Sequence, residues 1–179
     1  VIRVAQPSDV PVLQELIARS ARGLSVGYYT PAQTEAAVRD VFGVDSQLIA
    51  DGTYFVVERG GTVVACGGWS RRRTLFGGDQ AKSDVDPLLD PAIEPARIRA
   101  FFVDPRLARQ GLGRLLIEEC TRAARAAGFR SLELVATLPG EPLYAAAGFT
   151  VVERFDLALS GEVRVPVARM RRELDPQAP

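Results

Sequence analysis

The chain contains no histidine and only two cysteines, Cys66 and Cys120. The first absence excludes Ser-His-Asp and Cys-His catalysis and any histidine-ligated metal. The second, with no CxxC spacing, excludes a zinc cage. Both cysteines stand in apolar stretches and read as buried free thiols. That usage does not suggest an oxidising compartment, so a cytoplasmic protein is expected. A basic excess is missing too: Lys+Arg and Asp+Glu are both 22. Charge-driven nucleic-acid binding is therefore not expected. No apolar run approaches the roughly 20 residues of a membrane helix, and no charged-then-apolar secretory pattern opens the sequence. Lysine is almost absent, Lys82 standing alone against arginine at every other basic position; no function is drawn from that bias.

What is present fits an ordinary globular protein: 179 residues, 47% hydrophobic and 25% charged. The length suits one domain, placed at 1–175 with a short tail at 176–179, large enough to bury a core without staples. Residues 1–5 alternate as a strand. Ser8 or Asp9 caps a helix with Pro11 in its first turn, its apolar face formed by Val12, Leu13, Leu16, Ile17 and Ala21. Thr30-Pro31 opens a second helix, with Ala37, Val38 and Val41 on one side and an end at Gly43. The period then changes: 53–58 and 63–69 read as a hairpin joined at Gly60-Gly61. A long loop spans 70–95. Residues 97–103 form a strand. The helix at 112–127 carries a stripe of Leu112, Leu115, Leu116, Cys120, Ala123 and Ala127, and Gly128 stops it. A strand at 132–136, a short helix at 142–147 and strands at 149–159 and 163–170 complete a mixed α/β order. It lacks the repeated βαβ pattern of a doubly wound dinucleotide fold.

The informative stretch runs from Val103 to Arg114, a strand entering a short loop and the loop a helix. Gly111 and Gly113 stand where the helix begins. A helix start offers unpaired backbone N–H groups and a partial positive charge, and glycine lets a ligand approach the main chain. Together they suit a phosphate or pyrophosphate, with Arg106, Arg109 and Arg114 as further donors. Glycines also mark plain turns. The Walker Gly-Lys-Ser/Thr ending is absent, and Leu116 replaces the third glycine of the dinucleotide fingerprint.

Arg109-Gln110-Gly111-Leu112-Gly113-Arg114, the helix and strand that follow, and Tyr144 four residues before Gly148-Phe149 resemble the GNAT superfamily of acyl-CoA-dependent N-acyltransferases. Its pyrophosphate motif, Gln/Arg-x-x-Gly-x-Gly/Ala, falls on 108–113, with Ala108 departing from it at the first position. The resemblance is carried by residues 97–149. It implies a mostly antiparallel sheet of about seven strands flanked by helices, with a splayed parallel pair. It also implies acetyl-CoA as co-substrate, lying between the strand ending at Val103 and the strand at 132–136. The backbone of Phe101, Phe102 and Val103 would meet the pantetheine arm. Arg109, Gln110, Gly111, Leu112, Gly113 and Arg114 would meet the pyrophosphate. Tyr144 would protonate the departing thiolate, and Thr137 stands where an asparagine is common.

An amine would attack directly, with no covalent enzyme intermediate. Some members of the superfamily place a glutamate on the strand matching 97–103, which here has no carboxylate. Glu58, Asp79, Asp84, Asp86, Glu94, a water chain or an amine already neutral remain as alternatives for the base. Tyr28, Tyr29 and Trp69 are candidates to line the acceptor site, with core packing as the competing role. The expected partner is a small-molecule amine. Protein N-terminal or lysine acetylation, and a non-catalytic acyl-CoA sensor, are the alternatives. Homodimerisation through the C-terminal strands is a further expectation from the fold.

Overall fold

The structure, a computed structural model, describes residues 1–82 and 85–176. The expected tail falls, save Pro176, outside them. Runs of β-branched and aromatic residues become seven strands: β1 (Ile2–Val4), β2 (Tyr54–Arg59), β3 (Thr62–Ser70), β4 (Ala96–Val103), β5 (Ser131–Thr137), β6 (Thr150–Ala158) and β7 (Arg164–Glu173). They form one sheet in the order β1-β2-β3-β4-β5-β7-β6. Every neighbouring pair is antiparallel except β4 and β5. This is the mixed sheet with one parallel pair that the resemblance implies.

Five helices cover the two faces: α1 (Val10–Leu24), α2 (Pro31–Asp40), α3 (Ser46–Ala50), α4 (Leu112–Ala126) and α5 (Glu141–Ala146). Alternate strand residues separate the cores, since successive side chains point to opposite faces. Ile98, Leu132, Leu134 and Met170 join Leu116, Ile117 and Cys120 beneath α4. Tyr54, Val56 and Cys66 join Leu13, Leu16 and Ile17 of α1 and Leu48 of α3 on the other face. Further along that face, Tyr29 and Val41 beside α2 pack on Leu157, Val165 and Val167. No helix among the described residues is long and apolar enough to cross a membrane.

Three local expectations change. The buried stripe of α4 is Leu112, Gly113, Leu116, Ile117, Cys120, Thr121 and Ala124. Leu115 is 39% exposed, because the face nearest the sheet turns one residue away from it. Asp9 stands at the start of α1, but its side chain makes no cap there. Its carboxylate accepts from Gln6 N (2.7 Å) and from Arg3 (2.8 Å). α3 was not expected at all; it is five residues long and capped by Asp45, which accepts from Gln47 N and Leu48 N.

Candidate active site

The site begins where β4 leaves β5. The two strands pair only at Ala96↔Leu132 and Arg97↔Glu133. β5 continues along β7 as far as Thr137↔Val167, while β4 continues along β3 to Ala65↔Val103. Beyond Arg97 the strands therefore enclose a wedge. On β4, Phe102 faces Cys66 and Arg99 faces Gly68, so two steps on β3 answer three on β4. This bulge centres on Ala100, whose φ of +54° is rare outside glycine. Buried Tyr54 donates its hydroxyl to Ala100 O at 2.7 Å and holds the bulge.

The bulge sets the facing of the next three residues. Phe101 joins the α4 side, its ring 6.0 Å from Tyr144. Gly67 makes room for it: a Cβ there would stand 2.4 Å from that ring. Phe102 turns to the opposite face, edge-on to Phe42 at 5.7 Å. Asp104 N–H reaches back to Val64 O on β3 at 2.8 Å. By strand alternation the Val103 N–H then points to the side that β5 has left. Ser20 of α1, buried, accepts it with Oγ at 3.1 Å. Phe101, two residues earlier, directs its backbone to the same side.

The loop after β4 is built around Asp104. Its side chain accepts Arg106 N at 3.0 Å and a bidentate contact from the Arg106 guanidinium at 3.2 and 2.8 Å. Those hydrogen bonds hold this buried carboxyl down at about 2. The chain then passes through left-handed Arg109 (φ +62°) and Gly111 (φ +85°), which heads α4 without a side-chain cap. Among the described residues, nothing accepts from the backbone N–H of Gly111, Leu112, Gly113 or Arg114. A Cβ on Gly111 would meet nothing within 4 Å. Open space at Gly111 and unspent donors at the positive end of a helix fit a pyrophosphate, while a Cβ on Gly113 would stand 2.6 Å from Leu143 of α5. Arg114 is paired with Glu118 (3.0 Å), and Arg109 has no partner among the described residues.

Tyr144 lies on α5, between Phe101 and Phe149, the latter at 5.9 Å. Its ring is buried, and burial raises the phenol pKa well above the usual tyrosine range. Its hydroxyl has no hydrogen-bond partner among the described residues, nor is it among the fully enclosed orphan atoms. It therefore caps no backbone group and touches open space. Thr137 Oγ1 accepts Gly140 N at 3.3 Å in the turn leading to α5.

The aromatic candidates separate. Trp69 is a core residue, edge-on to Phe129 at 6.0 Å beneath α4, with Arg71 stacked 5.2 Å from its ring centre. Tyr29 is buried, and its hydroxyl donates to Pro166 O (2.7 Å) and accepts from Leu138 N (2.9 Å), tying the α1–α2 connection to β7 and to the end of β5. Tyr28 is exposed.

The carboxylates considered as bases are occupied. Glu58 accepts from Arg3 (2.8 Å), Asp79 from Ser46 N and Oγ, and Asp86 from Thr74 N; Glu94 pairs with Arg73 at 3.6 Å. Asp84 lies outside the described residues. Glu133, at the apex of the wedge, is held by Arg169 (3.0 Å) and Arg97 (3.5 Å). Both thiols are buried, and burial pushes Cys66 up to about 12, so neither is a nucleophile. A groove of about 540 Å³ lies beside β6, lined by Val41, Phe76 and Leu157. It is two strands away from β5, and its polar lining is spent on itself, Asp40 accepting from Ser160 and pairing with Arg39.

One residue near the loop escaped the sequence reading. Arg59, at the end of β2, donates Nη1 to Gln110 Oε1 at 2.9 Å across 51 positions. Only its place beside the Gly60-Gly61 turn was legible.

A family model described as the acetyltransferase (GNAT) family matches residues 18–149. No curated protein matches the chain. Similar solved structures include a GCN5-related N-acetyltransferase from Rhodopseudomonas palustris, 19% identical with a TM-score of 0.72, over 97% of this chain and 95% of that one. A PaiA N-acetyltransferase from Thermoplasma acidophilum, in complex with coenzyme A, is 13% identical with a TM-score of 0.64, covering 97% and 98%. A GNAT family acetyltransferase from Brucella melitensis, in complex with acetyl-CoA, is 20% identical with a TM-score of 0.56, covering 100% and 90%.

Proposed function

The chain belongs to the GNAT family of acetyltransferases, and we propose that it moves an acetyl group from acetyl-CoA to a primary amine of a small molecule by direct attack. One observation carries the reading: Tyr144, whose hydroxyl is unspent, packs its ring 6.0 Å from that of Phe101, on the strand that parts from β5. Acetyl-CoA supplies an acyl group activated as a thioester. The N–H groups of residues 111–114 hold its pyrophosphate. The outward backbone of Phe101 meets the pantetheine arm and polarises the thioester carbonyl; a donor of this kind is worth about 2.7–4 kcal/mol. Tyr144, kept protonated by burial, gives its proton to the departing sulfur.

Ser20 already accepts the Val103 N–H, so Phe101 is the better donor of the β4 set. Every described carboxylate considered as a base has a partner, and this supports an amine that reaches the site already neutral. Two connections are tied down on the face opposite α4. Tyr29 fastens the α1–α2 connection. Arg99 fastens the 71–82 segment by donating to Thr74 O (3.2 Å) and Gly77 O (2.6 Å). A restricted approach of that kind supports a small acceptor rather than a protein segment.

The test is thiol release from acetyl-CoA against a panel of amines, for the native protein and Tyr144→Phe. We expect turnover with a restricted set of amines. It should fall by about a hundred-fold in the variant, with acetyl-CoA affinity unchanged. Because burial raises the tyrosine pKa, the native rate should not decline between pH 7 and 10. Equal turnover in both proteins would leave Tyr144 a packing residue.

A further inference from the structure

The arginines around the start of α4 fall into two sets. Arg106 and Arg19 both reach Asp104, at 2.8 and 3.5 Å, and Arg114 reaches Glu118. Arg109 and Arg59 meet no carboxylate among the described residues. Five guanidiniums thus face two carboxylates, an excess of three: one arises where Arg19 and Arg106 share Asp104, and the other two are Arg59 and Arg109.

Arg59 is the more telling of the two because its position is held. A guanidinium has five N–H donors. The contact with Gln110 Oε1 uses one of them, and its acceptor is a neutral amide that leaves the positive charge uncompensated. Gln110 directly precedes Gly111, the left-handed residue that heads α4. The β2–β3 hairpin therefore delivers a cation with spare donors to the flank of the open N–H row.

Resting on the coenzyme reading above, we infer that Arg59 is a phosphate ligand of the coenzyme, held in position by Gln110. Coenzyme A carries two kinds of phosphate, the pyrophosphate and the ribose 3′-phosphate. A planar fork of donors suits either, and better than a point charge does.

The experiment compares the native protein, Arg59→Gln and Arg59→Lys in NMR titrations with coenzyme A, dephospho-coenzyme A and pantetheine, which has no phosphate. Arg59→Gln should bind coenzyme A about ten-fold more weakly and pantetheine as the native protein does, while Arg59→Lys should recover part of the loss. An equal loss for dephospho-coenzyme A assigns the contact to the pyrophosphate. No loss for dephospho-coenzyme A assigns it to the 3′-phosphate. Unchanged coenzyme A affinity in Arg59→Gln, or a parallel loss for pantetheine, overturns the inference. A native protein that binds none of the three strikes the coenzyme reading itself, a result distinct from either.

Discussion

At Gly111 two effects of one substitution can be separated. The backbone sits at φ +85°, so any side chain is strained, yet the space ahead of it is open. Gly111→Ala should therefore cost about 1–2 kcal/mol of stability through conformation alone. Gly111→Glu should cost a similar amount and also abolish coenzyme binding, because a carboxylate would stand before the amide row. Thermal unfolding and calorimetry read the two effects apart, and unchanged affinity in the Glu variant would remove the phosphate from this helix start. Gly111 and Tyr144 can be singled out from sequence because the roles proposed for them rest on chain-local features: a left-handed residue at a helix start and a tyrosine spaced from a Gly-Phe pair; at Gly113 the close approach is to Leu143, thirty residues on. Arg59 and Ser20 cannot be singled out so. Each acts on a residue 51 or 83 positions away, and no local pattern marks an arginine or serine whose partner arrives only through sheet and helix packing.

At the scale of elements, one buried pair anchors the segment after β3 at Thr74 and Gly77. Arg99 and Asp45 are 2% and 1% exposed and meet at 2.9 Å. Burial draws the Arg99 pKa down while Asp45 opposes the shift. Asp45 also caps α3 and pairs with Lys82. Without Arg99, Asp45 keeps Lys82 as its cation, while Thr74 O and Gly77 O lose their donor, so Arg99→Met should cost about 1–3 kcal/mol and free the segment at Thr74–Gly77. Urea unfolding with limited proteolysis checks both; a loss below about 1 kcal/mol would show that the segment is held by other contacts. The sequence reading finds the strands and long helices, where hydrophobic period reports burial directly. It passes over α3, whose five residues span too few turns to show a period, and reads 70–95 as a long loop of the kind that often carries function. The bonds that organise that loop run to β4 and α3 and across the loop itself, where Leu89 N–H reaches Arg71 O and Arg73 N–H reaches Pro87 O, and such pairing leaves no periodic trace. On α4, a stripe at period 3.6 can be rotated by one residue, so Leu115 and Ala123 fit the pattern as well as the more buried Ile117 and Ala124 do. Only the sheet decides which side is buried.

Over the whole molecule, arginine-to-carboxylate bonding sets the response to acid. Hydrogen bonds from arginine lower the pKa of Asp9, Asp51 and Asp104. A carboxylate whose folded pKa lies below its unfolded value, about 3.9, contributes fully above that value and loses its contribution as pH falls through the folded one. Most of the loss should therefore fall between about pH 4 and about pH 2 for Asp104. A circular dichroism titration should show native signal at pH 4, and Asp104→Asn should move the acid midpoint upward. Unfolding complete by pH 5 would contradict this account. The same preference for arginine has a chemical consequence for an enzyme that handles an activated acyl group. A guanidinium is a poor nucleophile at neutral pH, and the one lysine amine is turned inward onto Asp45, its side chain 14% exposed. The protein thus presents acetyl-CoA with no free lysine amine of its own, so a thioester held in the proposed site would meet the incoming acceptor without competition from a lysine of the enzyme.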